Sequence, residues 1–179
     1  MTRTLSLGLS PCPNDTYIFY ALLHKLVDCG HLSFNSHIHD VETLNQEASK
    51  GSLDITKLSL AAFGHLRDNY VLLNSGAALG RGCGPLVVSL KHRSLDKVEN
   101  KKIAVPGNWT TANLLLGLYL QTSAQIHALP FEQIMPAVQA GTYDFGVIIH
   151  EGRFTYPDYG LQCVLDLGQW WEKKTELPL

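Results

Sequence analysis

The side chain best placed to move a proton is His150. It follows residues 145–149, Phe-Gly-Val-Ile-Ile, a run that is apolar on both faces and is therefore typical of a buried central strand. In open α/β sheets, ligands bind at the edge where such strands end. Because imidazole side chains exchange protons near neutral pH, a histidine at this edge could act as a general base. The same pattern also fits a structural histidine at the end of a strand.

A second candidate is the segment VPGNWTTA at 105–112, which connects a predicted strand to a predicted helix. Asn108 or Thr110 could cap this helix by accepting hydrogen bonds from its first amides. The free amides and the positive end of the helix dipole suit a carboxylate, which makes Thr110 and Thr111 candidate substrate contacts. Capping alone would also explain these residue types.

Lys57 and Ser59 follow another predicted strand. If that strand continues, both side chains lie on one side of it, because side chains alternate along a strand. A lysine at the ligand edge of a sheet could pair with an anionic substrate. A solvent-exposed strand end is the competing interpretation.

The segment SPCPNDT at 10–16 lies between an alternating strand and an amphipathic helix. Its two prolines restrict the turn, and Asn14 or Asp15 could cap the helix. The segment also lies at the carboxyl end of its strand, where a ligand could bind. Cys12 lies near the helix start, a setting that can favour a thiolate, but no partner base is identifiable from the sequence.

The elements that must position these residues alternate along the chain, which predicts βαβ units and mostly parallel sheets. We predict strands at 4–9, 32–38, 53–56, 70–73, 86–90, 102–105, 126–129, 145–149 and 163–166. We predict helices at 16–27, 41–50, 60–66, 111–121 and 131–140. A Gly-x-x-Asp pattern joins a helix to a strand twice, at 51–54 and at 141–144, which indicates two similar lobes.

Composition and charge argue against several classes of protein. The 179 residues include 14 basic and 16 acidic side chains and no basic block, so nucleic acid is not an expected partner. No apolar run is long enough to span a membrane and no signal peptide is visible, so we expect a cytoplasmic protein. The four cysteines and eight histidines are scattered and predict no metal site. The GRGCGP segment at 80–85 leads into a strand rather than a helix, so we predict no nucleotide cofactor.

Five segments of the chain match, in order, the motifs of one known family. They are SPCPNDT at 10–16, GSLDITKLS at 51–59, GRGCGPLVV at 80–88, VPGNWTTA at 105–112 and FGVIIHEGRF at 145–154. Together they resemble the 1,4-dihydroxy-6-naphthoate synthase family of the futalosine route to menaquinone. The resemblance implies the two-lobed α/β fold of type II periplasmic solute-binding proteins, with mixed, mostly parallel sheets and a cleft between the lobes. We expect a first lobe at 1–88, a second at 89–172 and the start of a return crossover at 173–179.

The activity that the resemblance implies is the cleavage of cyclic dehypoxanthinyl futalosine to 1,4-dihydroxy-6-naphthoate and a dihydroxyacetone fragment, by a carbon–carbon lyase. His150 would correspond to the family's base. The expected contacts of the small anionic substrate are Lys57, Leu58, Ser59, Thr110 and Thr111, together with Asn14 and Asp15, which would mainly shape the wall of the site. No metal or organic cofactor is implied.

Members of this family are considerably longer than 179 residues, and the resemblance places the end of this chain near the return to the first lobe. We therefore expect a truncated chain, a remnant or one half of a split enzyme. Its first lobe would expose apolar surface and form a homo-oligomer or take up a missing C-terminal segment. The alternative function is a non-catalytic cytoplasmic binding protein or sensor for a small anionic aromatic ligand. The related dehydratase of the same pathway shares the fold, but the motifs at 10–16 and 148–153 favour the synthase.

Overall fold

Helices and strands alternate along both halves of the chain, as the hydrophobic patterns predict. The computed structural model of the chain describes residues 2–121 and 123–179. These residues form two compact units, which divide between Ala78 and Leu79. Within the described residues, none of the helices combines the length and the apolar character needed to cross a membrane.

The first unit is built on a parallel sheet of three strands in the order β2-β1-β3. Its strands are β1 (Arg3–Leu9), β2 (Leu32–Ile38) and β3 (Ile55–Thr56), and its helices are α1 (Pro13–Leu23), α2 (Val41–Ser49) and α3 (Leu60–Leu66). Leu7 and Leu9 on β1 and Leu44 on α2 are almost fully buried and belong to its core. Burial increases towards the carboxyl end of β1, so the loop that follows starts from a fixed point.

Helix α1 has a largely exposed apolar surface. Asp15 is the one residue of this helix that is buried, while Tyr17 and Tyr20 are 86% and 56% exposed. A helix that is apolar around most of its circumference is usually covered on more than one side. The exposed apolar surface that we expect of the first lobe is therefore observed.

Residues 70–73 are predicted to form a strand, and this prediction is wrong. The Tyr70 hydroxyl instead donates a 2.8 Å hydrogen bond to the Leu53 carbonyl. The next three side chains, a valine and two leucines, are 81%, 60% and 60% exposed. An apolar run has the composition of a strand, but it becomes one only where a neighbouring strand can pair with its backbone.

The second unit is built on a mixed sheet of five strands in the order β6-β5-β7-β4-β8. Its strands are β4 (Leu86–Ser89), β5 (Lys102–Val105), β6 (Gln125–Ala128), β7 (Phe145–Ile148) and β8 (Gln162–Asp166). Its helices are α4 (Thr111–Leu120), α5 (Phe131–Gln139), α6 (Gly152–Thr155) and α7 (Leu167–Thr175), with short 3-10 turns at Val98–Asn100 and Tyr156–Tyr159. β5 runs parallel to β6 and β7, whereas β4 is antiparallel to β7 and β8.

Apolar side chains cover both faces of this second sheet. One core cluster includes Leu116 of α4 and Phe145 of β7, and the other includes Ile134 of α5 and Ile148 of β7. Every residue of β7 is buried, which confirms the predicted central strand before His150.

Strand β4 pairs on both sides within the second sheet, with β7 and with β8. It therefore lies in the second unit, although residues 1–88 are predicted as the first lobe. Residues 173–175 complete α7, a helix that our sequence reading does not predict. Leu179 exchanges two backbone hydrogen bonds with Gly80, so the end of the chain also packs within the second unit.

The two Gly-x-x-Asp segments have the same structure in the two units. Gly51 and Gly141 adopt left-handed conformations, with φ of 67° and 73°, just after α2 and α5 end. Asp54 accepts hydrogen bonds from the amide and the hydroxyl of a serine on β1. Asp144 accepts one from the backbone amide at the start of β5. The repeated aspartate therefore joins the beginning of one strand to its neighbour.

Candidate active site

The carboxyl ends of β1 and β3 bring two predicted segments together in the first unit. The two strands are parallel neighbours, with Leu7 opposite Ile55. The Lys57 amide continues the pairing by donating to the Gly8 carbonyl at 2.8 Å. The loops after β1 and β3 therefore leave the sheet at the same edge, which is where open α/β sheets bind ligands.

The prediction that Asn14 or Asp15 caps the first helix is wrong. Helix α1 begins at Pro13, and its N-cap residue is Cys12, which makes no side-chain capping hydrogen bond. Proline is favoured at the first helical position because its missing N–H is not needed there. Asn14 and Asp15 therefore lie inside the first turn, where Asn14 is exposed and Asp15 is buried.

The buried carboxylate of Asp15 organises the loop that precedes it. Its Oδ2 accepts hydrogen bonds from the Ser10 amide and the Ser10 hydroxyl, both at 2.9 Å. Its Oδ1 lies 3.4 Å from Nζ of Lys57. Asp15 thus links the loop after β1 to a predicted substrate contact on the neighbouring loop.

The ammonium group of Lys57 is held from two sides. Besides its contact with Asp15, it donates a 3.1 Å hydrogen bond to the Gly76 carbonyl, and 21% of the side chain is exposed. An ammonium has three N–H donors, so these two partners leave one donor for a ligand. Lys57 is a positioned cation and not a freely solvated strand end.

Ser59 is fixed by Asn45, a residue that is not among those predicted from the sequence. Asn45 is fully buried on α2. It accepts a 2.9 Å hydrogen bond from the Ser59 amide and directs its own side-chain amide to the Ser59 hydroxyl at 3.3 Å. Leu58 is half-buried. The sequence does contain a signal for Asn45: it lies next to the buried apolar positions of α2, and a buried polar side chain needs a hydrogen-bond partner.

In the second unit, the predicted threonines lie at the start of α4. Thr110 is its N-cap: the hydroxyl accepts a hydrogen bond from the Asn113 amide at 3.3 Å and donates one to the Gly107 carbonyl at 2.8 Å. Thr110 is almost fully buried, so capping occupies most of its hydrogen-bonding capacity. Thr111 is half-buried, and its amide is among the first-turn amides that lack an intrahelical partner. At the start of α4, a ligand would therefore bind to the backbone amides rather than to the Thr110 hydroxyl.

Asn113 adds a buried acceptor to this helix start. Its Nδ2 donates a 2.9 Å hydrogen bond to the Asn108 carbonyl. Its Oδ1 is buried and has no hydrogen-bond partner among the residues that the structure describes. Because a buried acceptor without a donor is costly, a ligand hydroxyl at this position would be favourable.

His150 lies at the same sheet edge as the start of α4. β5 and β7 are parallel neighbours, with Ala104 opposite Gly146, so their carboxyl ends coincide. His150 is exposed and has φ of 51°, a left-handed conformation that costs an ordinary residue about 1–2 kcal/mol. The Phe131 ring at the start of α5 lies edge-on to the imidazole, with 6.3 Å between the centroids. Backbone strain of this kind clusters at functional sites, although four other non-glycine residues among those described share the conformation.

The described residues, 2–121 and 123–179, form no metal centre. No three or more histidine, cysteine, aspartate or glutamate side chains among them are arranged to hold a metal ion. All four cysteines are free thiols. Burial and the nearby Asp166 carboxylate raise the pKa of the Cys163 thiol. The sheet edge of the first unit carries a cation and a hydroxyl. The sheet edge of the second unit carries first-turn amides and an imidazole, groups that suit acid–base chemistry.

The chain is similar to proteins of menaquinone biosynthesis over almost its whole length. A protein family described as "Menaquinone biosynthesis" matches residues 5–179. A curated protein of Thermus thermophilus named 1,4-dihydroxy-6-naphtoate synthase is 52% identical over 177 residues, which cover 99% of this chain and 64% of that protein. A Streptomyces coelicolor protein of the same name is 42% identical over 182 residues, which cover 98% of this chain and 63% of that protein. This chain thus spans a little under two thirds of each.

Solved structures confirm the predicted fold class. Protein AF1704 from Archaeoglobus fulgidus superimposes with a TM-score of 0.90 at 40% identity, over 98% of this chain and 65% of that one. The alkanesulfonate-binding protein SsuA from Xanthomonas axonopodis pv. citri superimposes with a TM-score of 0.71 at 16% identity, over 94% of this chain and 62% of that one. The second likeness shows the fold alone: an α/β fold of the periplasmic-binding-protein type.

Proposed function

The chain belongs to the menaquinone biosynthesis family, and from this premise we propose that it cleaves cyclic dehypoxanthinyl futalosine to 1,4-dihydroxy-6-naphthoate and a dihydroxyacetone fragment. The enzyme class would be a carbon–carbon lyase. Relatives at 52% and 42% identity that carry the synthase name support this proposal.

The observation that carries the proposal is the pairing of β5 with β7. It brings a helix start with free amides and a strained histidine to one sheet edge. The amides suit a carboxylate or a hydroxyl of the substrate, and the imidazole can accept a proton beside them.

We assign His150 the role of general base. It would remove a proton from a hydroxyl group on the sugar-derived part of the substrate. The electrons of that O–H bond form a carbonyl, the adjacent carbon–carbon bond breaks, and its electron pair passes to an acceptor carbonyl as in a retro-aldol reaction. The histidine then returns the proton to the ring-containing product, and aromatisation favours this direction.

In the first unit, we assign Lys57 and Ser59 to binding. Lys57 has two partners among the described residues, so its third N–H donor suits an anionic oxygen, and Asn45 fixes the Ser59 backbone. The half-buried Leu58 would supply apolar contact. Asp15 positions Lys57, and Asn14, which is exposed in the first turn of α1, is the weakest candidate.

The test is turnover of the proposed substrate. The protein is incubated with cyclic dehypoxanthinyl futalosine, and the naphthoate is followed by chromatography and mass spectrometry. We expect naphthoate from the wild-type protein and a loss of kcat of about 100-fold or more in His150→Ala, with binding retained. His31→Ala, at an exposed histidine of the first unit, is the matched control and should leave kcat unchanged.

Two other results would overturn the proposed activity, and a third would overturn only the role of His150. Tight binding of the substrate without product would favour the non-catalytic binding protein. Neither binding nor product would remove both functions. Near-normal turnover by His150→Ala would leave the lyase in place but remove His150 as its base.

A further inference from the structure

Arg153 lies three residues after His150, and only 16% of its side chain is exposed. Its guanidinium donates to the Gly84 carbonyl, to the Gly82 carbonyl at 3.2 Å and to the Asp166 carboxylate at 2.9 Å. A guanidinium presents its N–H groups in a rigid planar fork, so three fixed acceptors define both its position and its orientation.

These acceptors are themselves fixed by the second unit. Gly84 packs so closely on the backbone of Gly168 that a β-carbon on either glycine would overlap the other residue. The Gly82 amide donates a 2.7 Å hydrogen bond to the Glu172 carboxylate on α7. Asp166 uses its second oxygen to cap α7. The GRGCGP segment has no role in the proposed function. It supplies two backbone carbonyls, those of Gly82 and Gly84, that accept hydrogen bonds from Arg153.

The turn that carries His150 depends on such support. Helix α6 is only four residues long, and a turn of this length has little stability of its own. The His150 carbonyl accepts a 3.2 Å hydrogen bond from the Arg153 amide, so the two residues belong to the same turn. A left-handed histidine persists only where its surroundings hold it.

We propose that Arg153 is a positioning residue, which ties the turn after β7 to the GRGCGP segment and to Asp166 and thereby holds the His150 imidazole at the sheet edge. Its importance for catalysis rests on the proposed function, in which His150 is the base. The anchoring itself requires no substrate. Arg153 is held by its three acceptors and acts through His150, not on the reacting atoms.

The first experiment therefore contains no substrate. Arg153→Met and Arg153→Lys are compared with wild type by amide hydrogen exchange of residues 150–155 and by the imidazole NMR signals of His150. We expect exchange in this segment to accelerate by about tenfold or more in Arg153→Met, and the His150 signals to shift or broaden. Arg153→Lys should recover only part of the protection, because an ammonium cannot reproduce the planar fork.

Two further variants separate anchoring from general destabilisation. Asp166→Asn removes the ion pair but keeps a good N-cap for α7, so it should show a weaker form of the same changes. Arg93→Lys, at an exposed arginine of the same unit, should show none of them. If Arg153→Met does not fold, Arg153→Lys and Asp166→Asn carry the test.

The second experiment measures kcat and, separately, the dissociation constant of the naphthoate product. Displacing a catalytic group by about 1 Å can cost about 100-fold in rate, so kcat should fall by about 10- to 100-fold while product affinity changes less than about threefold. Unchanged exchange and unchanged His150 signals in folded Arg153 variants would overturn the inference and leave the proposed function intact. If the His150 signals change in the Arg153 variants but the wild-type protein never forms naphthoate, the positioning role of Arg153 stands and the proposed function is overturned.

Discussion

The Oδ1 atom of Asp15 lies 3.4 Å from Nζ of Lys57, and the other carboxylate oxygen holds the Ser10 amide and hydroxyl. One buried side chain thus connects two loops that leave neighbouring strands. Within the SPCPNDT motif, Asp15 is therefore the residue that sets the position of the Lys57 ammonium group. A cation held between a carboxylate and the Gly76 carbonyl has little freedom left to lose when a ligand binds.

Replacing this aspartate should cost stability. Asp15→Asn keeps an oxygen for the Ser10 donors but removes the charge that faces Lys57. Hydrogen bonds to charged groups contribute about 1.5–3 kcal/mol, so we expect the free energy of unfolding to fall by about 1–2 kcal/mol. Urea unfolding followed by circular dichroism measures the change.

Asp68→Asn is the matched control for this substitution, because Asp68 lies exposed in the turn after α3 in the same unit. An exposed substitution of this kind should stay within about 0.5 kcal/mol of wild type. Equal effects of the two variants would show that the contact between Asp15 and Lys57 contributes nothing to stability.

The backbone of His150 predicts a difference between two substitutions that both delete the imidazole. Glycine adopts φ of 51° without steric penalty, whereas the β-carbon of alanine raises the free energy of this conformation. We expect His150→Gly to be more stable than His150→Ala by about 1 kcal/mol, although glycine gains more freedom on unfolding. Thermal unfolding of the two proteins checks this, and an alanine variant as stable as the glycine variant would contradict strain at this position.

The sequence predicted best those elements whose patterns are local. Strand β7 is a continuous apolar run and is buried throughout, and the two Gly-x-x-Asp segments form equivalent turns. The common edge of Thr110 and His150 was also predictable, because parallel strands of one sheet end on the same side. The strand and the two turns depend on residues close together in the chain, and the common edge follows from the repeated strand–helix pattern.

Features that depend on distant partners were not predictable. Asp15 has the residue type of a helix cap, but Lys57 lies 42 positions further along the chain, and their contact decides its orientation. The acceptors of Arg153 include Gly82 and Gly84, about 70 positions before it. The apolar run at 70–73 has the composition of a strand, but it pairs with none of the strands that the structure describes.

The close contact between Gly84 and Gly168 predicts a strong effect of adding a methyl group. In Gly84→Ala the new β-carbon would overlap the Gly168 backbone, which cannot move aside as a side chain could. We expect a loss of about 2–4 kcal/mol in the free energy of unfolding, or no folded protein. Gly168→Ala should behave similarly, since the overlap is mutual.

Gly117→Ala is the control for this pair. Gly117 lies within α4, and a β-carbon there would meet no atom within 4 Å. Because alanine favours a helix over glycine, this variant should gain about 0.5–1 kcal/mol. Denaturant unfolding of all three variants makes the comparison. If Gly84→Ala is as stable as wild type, Gly84 does not pack tightly on Gly168, and the position of the Gly84 carbonyl that binds Arg153 is not fixed in this way.

The last prediction concerns acid stability and the Asp144 carboxylate. Burial opposes its ionisation, but hydrogen bonds from the Lys102 amide, the Lys101 ammonium and the His92 ring outweigh burial and lower the pKa of Asp144. A carboxyl whose pKa is lower in the folded than in the unfolded chain stabilises the fold fully above its unfolded pKa, near pH 4, and loses this contribution as the pH falls through the folded pKa.

Asp144→Asn should therefore be less stable than wild type at pH 7, and its stability should decline less between about pH 5 and pH 2. Urea unfolding at a series of pH values measures both effects. Asp158→Asn, at an exposed aspartate of the same unit, should leave the pH dependence of wild type unchanged. The prediction fails if Asp144→Asn and wild type lose stability in parallel as the pH falls, because the carboxylate would then contribute nothing that protonation removes.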